Sequence, residues 1–378
     1  MVYFSPSFIA LAASFFFSPA VAHPGHDIAE EIAERAAFRA SDSYTGLEHC
    51  AETLKSRQAA LISRRKAMVQ HLRTKRGIAK RSFEDVLNTD HRSNASVTPD
   101  SPDDVIFAGN SSCILQPETT EGPYWVSGEY VRQDITDGNP GVPLTFDVQV
   151  IDTTTCEPIP QVALEAWHCN ATGVYGGVVA NGNGNTADAA NINNTMFRGI
   201  QFSNENGILQ FDTTFPGHYT GRTTHIHVLA HINSTINEKN QTLTGGHISH
   251  VGQLFFDQKL ITDAESVEPY TTNTQELMLN ANDGIFADEA AESDPVLNYV
   301  YLGDSVEEGV FAWVTVGIDP TSVLSPNAAA NLGENGGVAN PGNGGFPGGP
   351  GGPGGSFPTG GFPGGPRPSS TAVPSTAV

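Results

Sequence analysis

Residues 215–229 read Phe-Pro-Gly-His-Tyr-Thr-Gly-Arg-Thr-Thr-His-Ile-His-Val-Leu, a Pro-Gly bend followed by a run that ends in β-forming residues. His225 and His227 are two positions apart, so on a strand both side chains lie on one face while Ile226 turns to the other. Two imidazoles on one rigid face can reach a common ion and make half of a metal site. This stretch therefore predicts a strand that carries a pair of metal ligands.

Two tyrosines complete a candidate ligand set. Tyr219 precedes His225 by six residues, and Tyr175 ends the segment Trp-His-Cys-Asn-Ala-Thr-Gly-Val-Tyr, in which an apolar strand runs into a Gly-containing turn. Taken alone, a His-x-His pair is more often structural than metal-binding, and a strand tyrosine is usually half-buried packing. Phenolates and imidazoles together form a hard, anionic set that favours a trivalent ion, so iron(III) is the predicted metal.

The surrounding motifs strengthen the metal-site interpretation because they occur in a fixed order. These segments are 118–124 (Glu-Thr-Thr-Glu-Gly-Pro-Tyr), 167–175, 197–201 (Phe-Arg-Gly-Ile-Gln), 206–211, 215–219, 225–227 and 252–256 (Gly-Gln-Leu-Phe-Phe). In this order they resemble the catalytic core of the intradiol ring-cleavage dioxygenases of the secreted, fungal type. Enzymes of that family are non-haem iron(III) proteins that open catechols between the two hydroxyls. The resemblance covers residues 113–318.

The resemblance implies one iron(III) held by Tyr175, Tyr219, His225 and His227, because the family's four ligands fall on these positions. Tyr219 also matches the tyrosine that gives way to the substrate, which assigns it a catalytic role. The expected substrates are a small aromatic diol of the catechol type and dioxygen, and the expected products are muconate-type acids.

Three further residues take roles from the same resemblance. Arg222 matches an arginine that stabilises negative charge on the reacting ring, and a surface salt bridge is the alternative. Gln253 matches a glutamine near the oxygen pocket, although it could be an ordinary edge-strand residue. Tyr124 matches a position that lines the substrate pocket. The remaining histidines of the core region are predicted to be structural: His218, His231, His247 and His250.

The fold class predicted for the chain is mainly β. Phe146, Val148 and Val150 alternate with Asp147 and Gln149, as in a half-buried strand, and several short β runs are separated by Gly, Asn and Pro turns. This pattern predicts an antiparallel β-sandwich over residues 113–325. A helical segment is expected before the sandwich, and a disordered Gly/Pro-rich tail after it.

The regions outside the sandwich differ in composition. Leu47, Leu54, Leu61 and Met68 recur every seven residues, which indicates helices with an apolar stripe. The dibasic pairs 75–76 and 80–81 suit either processing or a solvated helix face. The predicted divisions are 1–22, a signal peptide; 23–93, a helical segment that is a possible pro-region or dimerisation element; 94–112, a linker; and 326–378, a disordered tail.

Export is also indicated by sequons and cysteines. The glycosylation candidates are Asn94, Asn110, Asn193, Asn233 and Asn240, whereas Asn170 follows an apolar strand directly and is expected to be too buried. Four cysteines suit two disulfides in an oxidising compartment. A strand of eight residues separates Cys156 from Cys169 by roughly 25 Å, too far for a bridge, so the favoured pairs are Cys50–Cys156 and Cys113–Cys169.

Charge limits the partners that the protein can have. Residues 1–93 carry 13 Lys/Arg against 10 Asp/Glu, a net of +3, whereas the remainder carries 6 against 31, a net of −25. An acidic body argues against nucleic acid and anionic membrane as partners, and a homodimer through the helical stripe remains possible. The alternative functions are a non-catalytic aromatic- or carbohydrate-binding β-sandwich module and, more remotely, a copper enzyme that uses His23.

Overall fold

A computed structural model of the chain describes residues 28–40, 46–77, 112–114, 124–180, 182–184, 187–290 and 293–340. The helices are α1 (Ile28–Arg39), α2 (Ala51–Lys75), α3 (Gln258–Glu265) and α4 (Gly284–Ala290). Short 3-10 turns lie at Glu48–Cys50, Ala189–Asn193, Tyr270–Thr272, Asn280–Asn282 and Val306–Glu308. Among the described helices, none is long and apolar enough to cross a bilayer.

Strands make up most of the regular structure. They are β1 (Ser112–Ile114), β2 (Val126–Ser127), β3 (Pro143–Asp152), β4 (Ala163–Trp167), β5 (Arg198–Phe202), β6 (Ile208–Thr214), β7 (His225–Ile232), β8 (Thr235–Asn237), β9 (Thr242–Thr244), β10 (His247–Phe255), β11 (Asn298–Tyr301), β12 (Val310–Ile318), β13 (Ala330–Gly333) and β14 (Gly336–Ala339). The prediction of a mainly β fold is confirmed.

Two sheets form the sandwich. The first has the order β1-β12-β3-β6, with β11 also paired to β12, and the second has the order β10-β7-β4-β5. The second sheet is antiparallel throughout, as predicted. The first is mixed, because β12 runs parallel to β3 with Val314 opposite Val148. Because β3 and β12 are far apart in sequence, no hairpin fixes their relative direction. The alternation of apolar residues therefore could not predict that they run parallel.

The core lies between the inner faces of the two sheets. Phe146 and Val148 of β3 face Leu164 of β4, Val228 of β7 and Leu254 of β10 in one buried apolar cluster. Burial of each such side chain contributes about 1.5–3 kcal/mol, so the alternating pattern of these strands determines which face turns inward.

The outer face of the first sheet is covered by α2. Arg64 of α2 forms an ion pair with Asp147, and the Arg65 guanidinium lies 5.1 Å from the Trp313 ring centroid. Val69 of α2 packs into an apolar cluster with Trp313. Asp147 is therefore buried, and the expectation of a strand with one solvated face is wrong because a helix covers that face.

Three residues of the predicted helical stripe pack within the chain. Leu47 and Leu54 lie beside the disulfide end of α2, and Met68 packs against the cluster around Trp313. Helices are confirmed over the described parts of 23–93. Dimerisation through the stripe stays a prediction.

The disulfide prediction is half confirmed. Cys50 and Cys156 are bonded, with their Cα atoms 5.2 Å apart, which fastens the start of α2 to the turn after β3. The pair Cys113–Cys169 is wrong, since Cys169 is a buried free thiol. Cys169 lies just after β4 of the second sheet, and its thiol donates to the Gly217 carbonyl at 3.3 Å, whereas Cys113 lies in β1 at the edge of the first sheet.

The predicted boundary of the tail at residue 326 is also wrong. Strands β13 and β14 form a hairpin that joins β2, with Ala330 opposite Val126. Residues 328–330 are buried because small side chains let this backbone approach Trp125 closely. The remaining tail from 341 lies outside the described residues, as do the predicted signal peptide, most of the linker, His23, Asn94 and Asn110.

Candidate active site

The candidate site lies on the outer face of the second sheet. Strand β7 begins at His225, as the sequence predicted. Ile226 and Val228 point into the sandwich core, whereas His225 and His227 point away from it. Both imidazoles are buried, because other segments cover this face.

The two histidines present adjacent nitrogens. Their Nε2 atoms are 3.0 Å apart. His225 Nδ1 lies 2.6 Å from the Thr223 carbonyl oxygen, which can only accept, so Nδ1 carries the proton and Nε2 offers its lone pair. The Trp167 ring stacks on His227, with centroids 4.9 Å apart and planes within 4°, and thereby fixes the imidazole plane.

The two tyrosines meet the histidines at this point. The Tyr219 hydroxyl lies 3.4 Å from His225 Nε2, and the Tyr175 and Tyr219 ring centroids are 5.5 Å apart. The buried Tyr175 hydroxyl has no hydrogen-bond partner among the described residues. Burial raises the pKa of both phenols well above the ordinary value, and nearby Arg222 opposes this only in part. A bound cation would supply the charge that turns them into phenolates.

The donor set fits a metal ion. Two nitrogen ligands about 2.1 Å from one ion and at right angles to each other lie about 3.0 Å apart, which matches the two Nε2 atoms. An otherwise unsatisfied buried phenol at Tyr175 and the hydroxyl of Tyr219 add oxygen donors. The structure thus brings together all four predicted ligands, and two phenols with two imidazoles suit a hard cation such as iron(III).

Two asparagines hold the backbone of Tyr175. Asn183 accepts from the Tyr175 N–H at 2.7 Å and donates to the carbonyls of Tyr175 and Val178 at 2.9 and 2.8 Å. Asn191 donates to the same two carbonyls, each at 2.8 Å. Sequence reasoning missed both residues, because they lie in a Gly/Asn-rich segment that reads as an irregular loop.

Arg198 links two walls of the site. It comes from the Phe-Arg-Gly-Ile-Gln motif and is fully buried. Its Nε donates to the Gly176 carbonyl at 2.8 Å and its Nη2 to the Tyr124 carbonyl at 2.5 Å, and the buried Glu129 carboxyl lies 3.8 Å from Nε. The sequence motif includes this arginine, but its contacts with Gly176 and Tyr124 are evident only in the folded structure.

Tyr124 lies against both tyrosines of the cluster. Its ring stacks on Tyr175, with centroids 4.6 Å apart, and meets Tyr219 edge-on at 6.0 Å. Its hydroxyl is buried and has no hydrogen-bond partner in the described part of the chain. Residues 124–126 and residues 328–330, which lead into the β13–β14 hairpin, pack with Tyr175 and Tyr219 in one buried cluster; we call these two segments the roof.

Arg222 and Gln253 lie beside the ligand cluster. The Arg222 guanidinium is fully buried, which excludes the alternative of a surface salt bridge. Its Nη2 donates to Gln253 Oε1 at 2.5 Å, and Gln253 stands opposite His227 in the β10–β7 pair. The predicted arginine and glutamine therefore contact each other next to the histidines.

Asp283 is a site residue that sequence reasoning missed. Its Oδ2 accepts from Arg222 Nε at 2.8 Å. Burial raises the pKa of Asp283, but the charge of Arg222 and the N–H groups of Phe286 and Thr223 outweigh it and lower the pKa to about 2. The Asp-Gly pair at the start of α4 signals a helix cap, yet nothing local in the sequence connects it to Arg222.

The other histidines make contacts of their own. His218 bonds to Glu265 at 2.7 Å, and His231 bonds to Glu165 at 2.9 Å. His247 Nε2 lies 3.3 Å from the Pro320 carbonyl, and His250 Nε2 accepts from the backbone N–H of residue 319 at 3.2 Å.

Comparison with known proteins identifies the family of the chain. No protein-family model and no curated protein matches it. Among solved structures, an intradiol ring-cleavage dioxygenase from Tetranychus urticae is 30% identical, with a match that covers 56% of this chain and 97% of that chain at a TM-score of 0.45. The chain belongs to the intradiol ring-cleavage dioxygenases. This assignment rests on sequence identity over nearly the whole length of the solved chain.

Two further solved structures that are described as dioxygenases are also similar to the chain. A second dioxygenase crystal structure is also 30% identical, covering 56% of this chain and 97% of that chain at a TM-score of 0.46. The dioxygenase domain of a dioxygenase–carbohydrate-binding protein fusion from Streptomyces sp. SirexAA-E is 26% identical, covering 55% and 98% at a TM-score of 0.35. The intradiol dioxygenase family predicted from the ordered motifs is confirmed, and with it the prediction of a ring-cleaving enzyme.

Proposed function

We propose that this chain is a secreted non-haem iron(III) dioxygenase that cleaves catechol-type aromatics between the two hydroxyls to muconate-type products. The observation that carries the proposal is the convergence of Tyr175, Tyr219, His225 and His227 on one buried point. Membership of the ring-cleaving family and the adjacent Arg222–Gln253 contact support it.

These four residues would hold the iron. When bound, iron(III) withdraws electron density from the two oxygens of a catechol and so activates the ring towards dioxygen. The Thr223 carbonyl keeps the proton on His225 Nδ1, which leaves Nε2 as the donor atom. Trp167 holds the His227 ring in plane, and the two asparagines hold Tyr175.

The remaining side chains act on the substrate. With a cation bound, Tyr219 would be a phenolate whose Oη could take a proton from the incoming diol. The Tyr124 ring lies beside it in an edge-on contact. Arg222 stabilises the negative charge that develops on the ring, an effect that is large in a buried site from which water is excluded. Gln253 orients the Arg222 guanidinium through its Oε1 atom.

Secretion is part of the proposal. The Cys50–Cys156 disulfide suits an oxidising compartment, and Asn193 and Asn233 are exposed, as glycan acceptors must be. The sequon at Asn240 is half-buried and is the less accessible of the three described candidates. A mass decrease on enzymatic deglycosylation of protein secreted by a eukaryotic host would support this part of the proposal.

The test compares two histidines of the same strand. Purified wild type should contain one iron per chain, absorb visible light and consume oxygen with catechol. His225→Ala should lose the colour and the oxygen uptake. His231→Ala is the matched control, because His231 lies on the same face of β7 but bonds to Glu165, and it should keep both. Aromatic binding without oxygen uptake by iron-loaded wild type would favour the non-catalytic module instead.

A further inference from the structure

We propose that Asp283 is the positioning residue for Arg222, and that it sets the place of the guanidinium beside the reacting ring. The inference rests on the proposed function, because Arg222 acts there as the charge-stabilising group. The Asp283 carboxylate accepts four hydrogen bonds.

The carboxylate joins two separate parts of the chain. Oδ2 accepts from Arg222 Nε and from the Thr223 backbone N–H, both at 2.8 Å. Oδ1 accepts from the N–H groups of Ile285 and Phe286, both at 2.9 Å, and so caps α4. One oxygen therefore serves the catalytic loop and the other serves the helix, with the whole group buried.

These contacts define the orientation of the guanidinium. Asp283 holds Nε, and Gln253 on β10 holds Nη2 at 2.5 Å. Two nitrogens of a planar group fixed by acceptors on different elements determine both its position and its plane. A buried guanidinium also needs a countercharge, and Asp283 forms the ion pair that supplies one.

The same carboxylate is connected to the histidine pair. Asp283 holds the N–H of Thr223, and the Thr223 carbonyl accepts from His225 Nδ1 at 2.6 Å. The Thr223 hydroxyl bonds to Asn280 Oδ1 at 2.5 Å, so the loop that bears Arg222 is held on two sides by the segment before α4. Asp283 thus keeps the arginine in register with the metal-binding end of β7.

The support for Asp283 is itself anchored. Arg39 of α1 forms a two-bond ion pair with Asp288 of α4 at 2.6 and 2.7 Å, and Arg35 forms a buried ion pair with Glu289. Phe286 of α4 packs on Phe255, with ring centroids 5.1 Å apart. A helix held on two faces gives the carboxylate a fixed base.

Asp283→Asn is the discriminating substitution. An amide can keep an oxygen towards α4 and preserve the helix cap, while it places an N–H group against the Arg222 and Thr223 donors. The expected result is a fall in kcat of roughly ten- to a hundredfold, because small misplacement of a catalytic group has this effect. Iron content, the visible band and KM for catechol should stay close to those of wild type.

A double variant and a matched control complete the test. Arg222→Leu with Asp283→Asn should be no slower than Arg222→Leu alone, since Asp283 acts through Arg222. Asp257 caps α3 by accepting from the Lys259 N–H at 3.0 Å, and Asp257→Asn should keep wild-type kcat.

Three outcomes would overturn the inference while leaving the proposed function intact. These are an active Asp283→Asn enzyme with unchanged kcat, additive losses in the double variant, and loss of iron or colour in step with kcat. A wild type that binds iron but cleaves no catechol would refute the proposed function, and the inference with it.

Discussion

Removal of the Asn183 side chain should cost more stability than removal of Asn191, although both bind the carbonyls of Tyr175 and Val178. In Asn183→Ala the Tyr175 N–H loses the acceptor that it has in Asn183, and a buried unsatisfied donor costs about 1–3 kcal/mol. The two carbonyls keep Asn191. In Asn191→Ala they keep Asn183 and the Tyr175 N–H keeps its acceptor, so we expect a loss below about 1 kcal/mol.

The double variant leaves both carbonyls without either amide, so its loss in unfolding free energy should exceed the sum of the single losses. Urea unfolding with unchanged slope measures these values, and iron retention with the visible band reports on Tyr175. Asn204→Ala is the control, because Asn204 holds an exposed turn by accepting from the N–H groups of residues 206 and 208. Equal losses for Asn183→Ala and Asn191→Ala, or a band shift in Asn204→Ala, would refute the reasoning.

Three further predictions concern stability. Arg35→Met should lower the free energy of unfolding by about 3–5 kcal/mol, because it leaves the buried Glu289 carboxylate without its ion-pair partner. The double variant Arg35→Met/Glu289→Leu should recover most of this loss in denaturant unfolding, and equal losses in the single and double variants would contradict the prediction. Burial lowers the pKa of His250 to about 3, so as the pH drops from about 6.5 to about 3 the unfolded chain is protonated at this residue before the folded chain, and the free energy of unfolding should fall. His250→Gln should show a shallower fall over this pH range, and an unchanged slope would count against the prediction. Reduction of the Cys50–Cys156 disulfide, which spans 106 residues, should lower the free energy of unfolding by about 4–5 kcal/mol. A chain that has been cleaved after the dibasic pairs should release its N-terminal helices only after reduction, and intact-mass measurement before and after reduction would show this.

The proximity of Tyr175, Tyr219, His225 and His227 could be predicted from sequence because these residues carry local signals. His225 and His227 share a face through strand periodicity alone. The order of the motifs along the chain identified the family. Asp283 and Asn183 carry no such signal. Their roles come from contacts with Arg222 and with Tyr175 that form only when loops fold over the sheet.

The errors in the fold prediction have the same origin. Alternation placed Asp147 correctly on the outer face of β3, but it could not show that α2 covers that face. Residues 328–330 are alanines, which composition counts as weakly apolar, although the hairpin that follows them pairs with β2. In both cases a second layer of chain decides the burial, and single-strand patterns contain no information about it.

The second sheet keeps core packing and the candidate site on opposite faces of the same strands. Ile226 and Val228 belong to the sandwich core, whereas the roof is built from the 124–126 and 328–330 segments outside the two sheets. Substitutions in the roof should therefore reshape the space beside the four proposed iron ligands while the sandwich stays folded. If the protein cleaves catechols as proposed, directed evolution towards bulkier aromatic diols has its targets in these two segments.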